Sequence, residues 1–370
     1  EELMRSWFKE IKEAGFNMVQ SYTIPLGYGG PGADFNKKIE GVKLFLDYAN
    51  EYGLKVLDTV YGHISGPLVV DDSKEEEAIR NSKEQLQKRI EAIKTHPALG
   101  AYYITDEFFN SGIKKEDLEG FYYFIKKLDT VHPTLAVECT TAAFPLYREG
   151  TDIFAPDIYP CGEKYPADIT SVAKTLDIVK SVQRGEPPKP YLWAVLQIHK
   201  SSRFPTESEM RAMTFLALTR DVKGLGYFAY SFPDGDPPYS RSAPDHWRNV
   251  SNVINSIHTV FPALFSDKVV KNYTIDNNKI QSIAKQVIEK GKKYIYLITV
   301  NPSDGNEQKE PISLNFTFED ISFVDNIYVL DETEKGEFKL GSIRQLQKTS
   351  NGFIDTFQEN TVHIYKIEIK

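Results

Sequence analysis

The sequence predicts an α/β protein, a (β/α)8 TIM-type barrel followed by a small all-β sandwich domain. Three observations predict it. Apolar strand-like runs alternate with amphipathic helical runs up to about residue 266, and Gly or Pro punctuates most of the junctions. From about residue 268 the pattern changes to short alternating segments joined by turn residues. Strand–helix alternation demands a parallel sheet with right-handed crossovers. A chain of 370 residues accommodates such a barrel, about 250 residues, plus one small domain. The expected division is 1–266 for the barrel and 267–370 for the sandwich.

Residues 2–14 place Leu3, Trp7 and Ile11 at helical spacing, and Gly15 stands at the C′ position that ends a helix. FNMVQSY (16–22) reads as a strand. A helix over 37–52 ends at Gly53 and feeds the strand LKVLDTVYG (54–62). A charged helix (75–94) leads into LGAYYITDEF (99–108), followed by a helix (116–129), the strand TLAVECT (134–140) and a short helix near 145–149. Then come the strand DIFAPDIYP (152–160), a helix (167–183), YLWAVLQIH (191–199), a helix (207–222), LGYFAYSF (225–232) and a helix (245–264). This makes seven strands and begins on a helix. A closed eight-stranded barrel begins on a strand, so the first strand is expected upstream of Glu1 or the barrel is incomplete. A doubly wound open sheet is disfavoured because no Gly-rich phosphate turn follows a strand. Beyond 268, KIQSIAKQVIE, KYIYLITVN, ISLNFTF, NIYVLD and VHIYKIEI alternate with period two, with Asp304-Gly305 and Asn351-Gly352 as turns. This part is expected to pack against the barrel or to bind a ligand.

A formal charge of −8 argues against a binder that tracks nucleic-acid phosphates. No run of 18 apolar residues is present, so no membrane span is expected. The chain opens on a polar amphipathic helix, not a signal segment; the expected location is secreted, periplasmic or cell-surface after processing. Cys139 and Cys161 form no C-x-x-C pattern and are expected to be inert buried thiols.

In parallel barrels chemistry sits at the C-terminal strand ends. Those ends carry Gln20 and Tyr22, Asp58 and Tyr61, Asp106 and Glu107, Glu138, Asp157 and Tyr159, Gln197 and His199, and Ser231 and Asp234. Side chains alternate along a strand, and Ala101, Thr105 and Glu107 share a parity. Small residues suit the crowded axis, which places Glu107 inward, with Asp106 reachable if the strand end bulges. Two adjacent carboxylates at an apolar strand end repel and desolvate each other. One pKa rises, as a general acid working near neutrality requires. The structural alternative is that Asp106 caps the next loop and Glu107 pairs with a lysine. Asp157 and Tyr159 project together. Trp193 reads as core, whereas Trp247 and Tyr28 (in the loop LGYGGPG, 26–32) are candidate stacking platforms for a sugar ring. His63, His199, Asp58 and Glu107 lie near strand ends, but no H-x-H or H-E-x-x-H spacing exists, so neither a metal nor a cofactor is expected.

The stretch HPALGAYYITDEF (96–108) resembles the fourth-strand segment of glycoside-hydrolase-like barrels related to clan A. There a helix ends at His-Pro-Ala and the strand finishes at the acid/base glutamate. KKLDTVHPT (126–134), DIFAPDIYP (152–160) and GLGYFAYSF (224–232) resemble further segments in the same order. ITVNPSDG (298–305) and VHIYKIEI (362–369) are similar to the β-sandwich appended to many such barrels. The resemblance implies an O-glycosyl hydrolase acting on an oligo- or polysaccharide, with Glu107 as general acid/base. It also implies a glutamate nucleophile at the end of strand seven, where this chain has Gln197. Asp106 stands where the clan commonly shows Asn. An amide cannot attack an anomeric carbon, so the second carboxylate is expected from Glu138, Asp157 or Asp58. Alternatively Asp106 and Glu107 act as the Asp-Glu pair of hexosaminidase-like barrels, in which a substrate acetamido group is the nucleophile. The remaining alternative is a non-catalytic carbohydrate-binding or scaffold protein. Tyr22, Asp58, Tyr61, Tyr159, Gln197, His199 and Trp247 are the expected substrate-binding residues.

Overall fold

The computed structural model describes residues 1–22, 34–60, 73–185, 189–231, 239–306, 310–324 and 326–370. Tyr28, Tyr61, His63 and Asp234 lie outside the described residues. The chain begins with α1 (Glu2–Glu13), β1 (Met18–Gln20), α2 (Phe35–Glu51), β2 (Lys55–Thr59), α3 (Ser73–Ile93), β3 (Leu99–Asp106), α4 (Lys115–Leu128) and β4 (Thr134–Glu138). It continues through β5 (Ile153–Ile158), α5 (Thr170–Val182), β6 (Tyr191–Gln197), α6 (Glu207–Leu218), β7 (Gly224–Phe228), α7 (Pro244–Thr259) and α8 (Phe261–Leu264). The strands form one sheet in the order β1-β2-β3-β4-β5-β6-β7, the parallel sheet of a TIM-type barrel. The segment near 145–149 is not an α-helix. Two 3-10 turns, Thr141–Ala143 and Arg148–Gly150, stand before it and at its end instead.

Among the described residues, nine further strands follow: β8 (Val269–Val270), β9 (Tyr273–Ile275), β10 (Gln281–Glu289), β11 (Lys292–Asn301), β12 (Ile312–Phe318), β13 (Ile327–Glu332), β14 (Phe338–Leu346), β15 (Gly352–Phe357) and β16 (Thr361–Ile369). They make two antiparallel sheets, β14-β13-β16-β11-β10-β8 and β15-β12-β9. Among the described residues, no helix is long and apolar enough to cross a membrane.

The chain divides into two compact units. One holds Glu1–Asp157 and Ile178–Val195; the other holds Ile158–Asp177 and most of the chain from Leu196. In the first unit, alternate strand residues build one apolar cluster: Leu57, Ala101, Tyr103, Leu135, Val137, Ile153 and Ala155, with Trp193 and Tyr22 packed on it. This alternation decides which strand-end groups share a face. Residues of opposite parity meet the helices: Tyr102 donates to Asp129 (2.8 Å), and Asp58 meets Arg89 of α3. α1 joins through Phe8, whose ring meets Phe45 of α2 edge-on at 5.0 Å.

In the second unit, α6 is buried along Glu209–Leu218. A capping box starts it: the Thr206 hydroxyl accepts from the Glu209 N–H, and the Glu209 carboxylate accepts from the Thr206 N–H. Arg211 on α6 donates to the Val362 carbonyl (2.6 Å). The two antiparallel sheets close on a shared core that includes Ile295, Leu297, Phe316, Val329, Phe353, Phe357 and Tyr365.

Candidate active site

Asp106, Glu107 and Asp157 stand at the ends of β3 and β5. The register of β3 against β4 shifts between Tyr103 and Thr105. An extra residue in one strand re-aims the side chains beyond it. The shift lets Asp106 return to the face of Tyr103, and the hydroxyls of Tyr103 and Tyr22 both donate to its carboxylate. Burial raises the Asp106 pKa against the lowering effect of those two bonds, and the Glu138 charge raises it further. Glu107 follows in the left-handed region at φ 43°, where a residue with a Cβ is uncommon. Three hydrogen bonds hold it there: its N–H donates to Val137 O (3.0 Å), and its carbonyl accepts from the Ser111 N–H and Oγ (both 3.1 Å). Its side chain is exposed.

Asp157 shares the parity of Ile153 and Ala155 and so faces the same side as Ala101 and Tyr103. One carboxylate oxygen each of Glu107 and Asp157, with the Cys139 sulfur, all lie within 4.8 Å of one another. Burial is the main cause that pushes the Asp157 pKa up to about 7, and the charges of Glu107, Asp106 and Glu138 add to it. Its Oδ1 is buried with no hydrogen-bond partner among the described residues. Cys139 is exposed and Cys161 buried, so one of the two thiols expected to be inert stands beside the carboxylates. Its parity with Val137 signalled this position. Partial burial raises the Cys139 pKa. Two carboxylates and a thiol fall one donor short of a closed structural zinc site.

Not every predicted carboxylate joins this group. Asp58 and Arg89 are each 2% exposed and form a bidentate pair, 3.0 and 2.6 Å, on the helix side of the sheet. Glu138 is fully buried, and its two oxygens accept from the backbone N–H groups of Phe109 (2.9 Å) and Thr140 (2.6 Å). Tyr22 is brought in; its hydroxyl lies 3.4 Å from that of Tyr103, a residue whose role the sequence reading missed.

The second unit places its own predicted residues. Gln197 is fully buried: its Oε1 accepts from Cys161 N–H (2.8 Å) and its Nε2 donates to Cys161 O (2.9 Å). A glutamate could not make the second bond. Tyr159, 38% exposed, stacks on Phe228 at 5.9 Å and meets His199 edge-on at 4.9 Å. His199 Nδ1 lies 3.1 Å from the Phe228 carbonyl, and burial lowers its pKa. Phe228 was legible only as an apolar strand residue. Trp247 sits in the first turn of α7 with its ring 4.9 Å from Tyr230.

No protein-family model matches the chain, and no curated protein matches it by sequence. Solved structures do match its fold. A family 5 glycoside hydrolase from Bacteroides vulgatus aligns with a TM-score of 0.59 at 12% identity, over 99% of this chain and 85% of its own. An α-amylase from Geobacillus thermoleovorans, complexed with acarbose, aligns at 0.58 and 13% identity, over 98% and 91%. A family 30 subfamily 8 xylanase from Clostridium acetobutylicum aligns at 0.56 and 9% identity, over 99% and 92%. The chain therefore has the fold of glycoside-hydrolase barrels with an appended β domain.

Proposed function

We propose that the chain is a glycoside hydrolase of an oligo- or polysaccharide, with Glu107 and Asp157 as its working carboxylates. The observation that carries this reading is their approach, within 4.8 Å, together with the proton that Asp157 holds up to about pH 7. Two carboxyl groups about 5–5.5 Å apart suit double displacement, whereas inversion wants about 6.5–9.5 Å for an intervening water. Protonated Asp157 gives its proton to the departing glycosidic oxygen while the Glu107 carboxylate bonds to the anomeric carbon. Asp157, now ionised, takes a proton from water, whose oxygen displaces Glu107. The family resemblance assigns the acid role to Glu107, but exposure there and burial at Asp157 favour the reverse.

Variant kinetics on aryl glycosides separate the two assignments. Asp157→Asn is expected to keep turnover of substrates with activated leaving groups and to recover further with azide. Glu107→Gln is expected to lose turnover on every substrate. The opposite pattern returns the acid role to Glu107. A second reading, a non-catalytic carbohydrate binder, is favoured by Gln197, whose amide is committed to backbone where the related barrels place a nucleophile. It predicts glycan binding that survives Glu107→Gln, with no product from any glycan.

A further inference from the structure

The fully buried carboxylate of Glu138 belongs to neither role in the reaction proposed for Glu107 and Asp157. On β4, Leu135 and Val137 face the apolar cluster, so Glu138 has the opposite parity to the strand residues that share the face of Asp157. Both oxygens are taken by backbone donors. One is Phe109, two residues after Glu107; the other is Thr140, next to Cys139. The same two loops are joined by Asn110 Nδ2 to Cys139 Sγ (3.5 Å), by Thr140 Oγ1 to Asn110 Oδ1 (3.3 Å), and by Glu107 N–H to Val137 O (3.0 Å). Glu107 needs such a frame because its left-handed backbone costs energy that only the surrounding bonds can offset. Of the bonds named here between the two loops, those to Glu138 are the ones that end on a carboxylate, itself fully buried, and a carboxylate acceptor makes a stronger bond than a neutral one.

We propose that Glu138 is a positioning residue, whose carboxylate clamps the loop carrying Glu107 to the loop carrying Cys139 and so sets the Glu107–Asp157 separation. The catalytic part of this rests on the hydrolase reading; the clamp itself does not. A glutamine at 138 offers one acceptor oxygen where the carboxylate offers two, so one of the two backbone N–H groups must lose its partner.

Amide hydrogen exchange on the full chain, wild type against Glu138→Gln, reads the clamp directly. At Phe109 or Thr140 the exchange is expected to rise roughly tenfold, the scale of one lost hydrogen bond. In the same variant kcat on a cleaved glycoside is expected to fall by at least roughly tenfold with KM little changed, since a misplaced carboxylate harms the transition state more than ground-state binding. Unchanged exchange at both amides overturns the clamp. Faster exchange with unchanged kcat overturns the positioning role. If Glu138→Gln does not fold, hydrogen-bond scalar couplings from the two amides to the Glu138 carboxylate carbon in the wild-type chain decide instead, and their absence overturns the clamp. A wild-type chain that cleaves no glycoside refutes the hydrolase reading while the exchange experiment still decides the clamp.

Discussion

Asp157 and Gln197 carry opposite messages about charge at their strand ends. An aspartate in an unfolded chain titrates near 3.9, while Asp157 in the folded chain is pushed up to about 7. Between those values the native state binds the extra proton, so stability falls as pH rises through the window, and the cost is complete above about 7. Asp157→Asn is therefore expected to remove a loss of about 2 kcal/mol between pH 5 and pH 8, measured by urea denaturation at both pH values. On the proposed function the same proton governs the activity profile: kcat is expected to decline as pH passes about 7, and a flat profile from pH 5 to 9 counts against Asp157 as the acid. At Gln197 the amide matches one backbone donor and one backbone acceptor of Cys161. Gln197→Glu is expected to cost about 2 kcal/mol and to create no nucleophile, seen as a lower melting temperature without gain in turnover.

At the scale of the element, β2 and α3 are joined by a charge pair that water does not reach. Asp58 and Arg89 are both buried, so Arg89→Leu leaves an uncompensated carboxylate and is expected to cost about 3–5 kcal/mol. Adding Asp58→Leu should recover part of that loss in a double-mutant cycle; additive losses would contradict the pairing. Parity along a strand made this side of the sheet partly legible: Leu57 faces the apolar cluster, so Asp58 faces the helices. The shift between Tyr103 and Thr105 was legible only as a condition, that Asp106 is reachable if the strand end bulges, because a bulge is set by pairing with the neighbouring strand. Asp106 and Glu107 both depend on that shift. Gly352 shows the converse in the β domain. Read as a turn residue, it opens β15 because a Cβ there would overlap the carbonyl oxygen of Phe316 on β12.

For the molecule as a whole, the alternation of amphipathic helices and apolar strands, and its abrupt end near residue 268, made the architecture readable from the chain. The site was readable only as a set of strand ends. Position in the fold nominated Asp106, Glu107, Glu138, Asp157 and Asp58 alike, since each stands where a parallel sheet presents its chemistry. Separating them needed distances: Glu138 turns to backbone amides, Asp58 to Arg89, and Asp157 to Glu107. Glu107 and Asp157 come from different strands, and no spacing within one segment encodes such a meeting. In the proposed reaction the separation of the pair decides the stereochemistry. Proton NMR of the first-formed sugar from a glycan that the wild-type chain cleaves should show the anomeric configuration of the substrate retained. An inverted first product, or no cleavage of any glycan at all, would contradict Glu107 and Asp157 as the working pair.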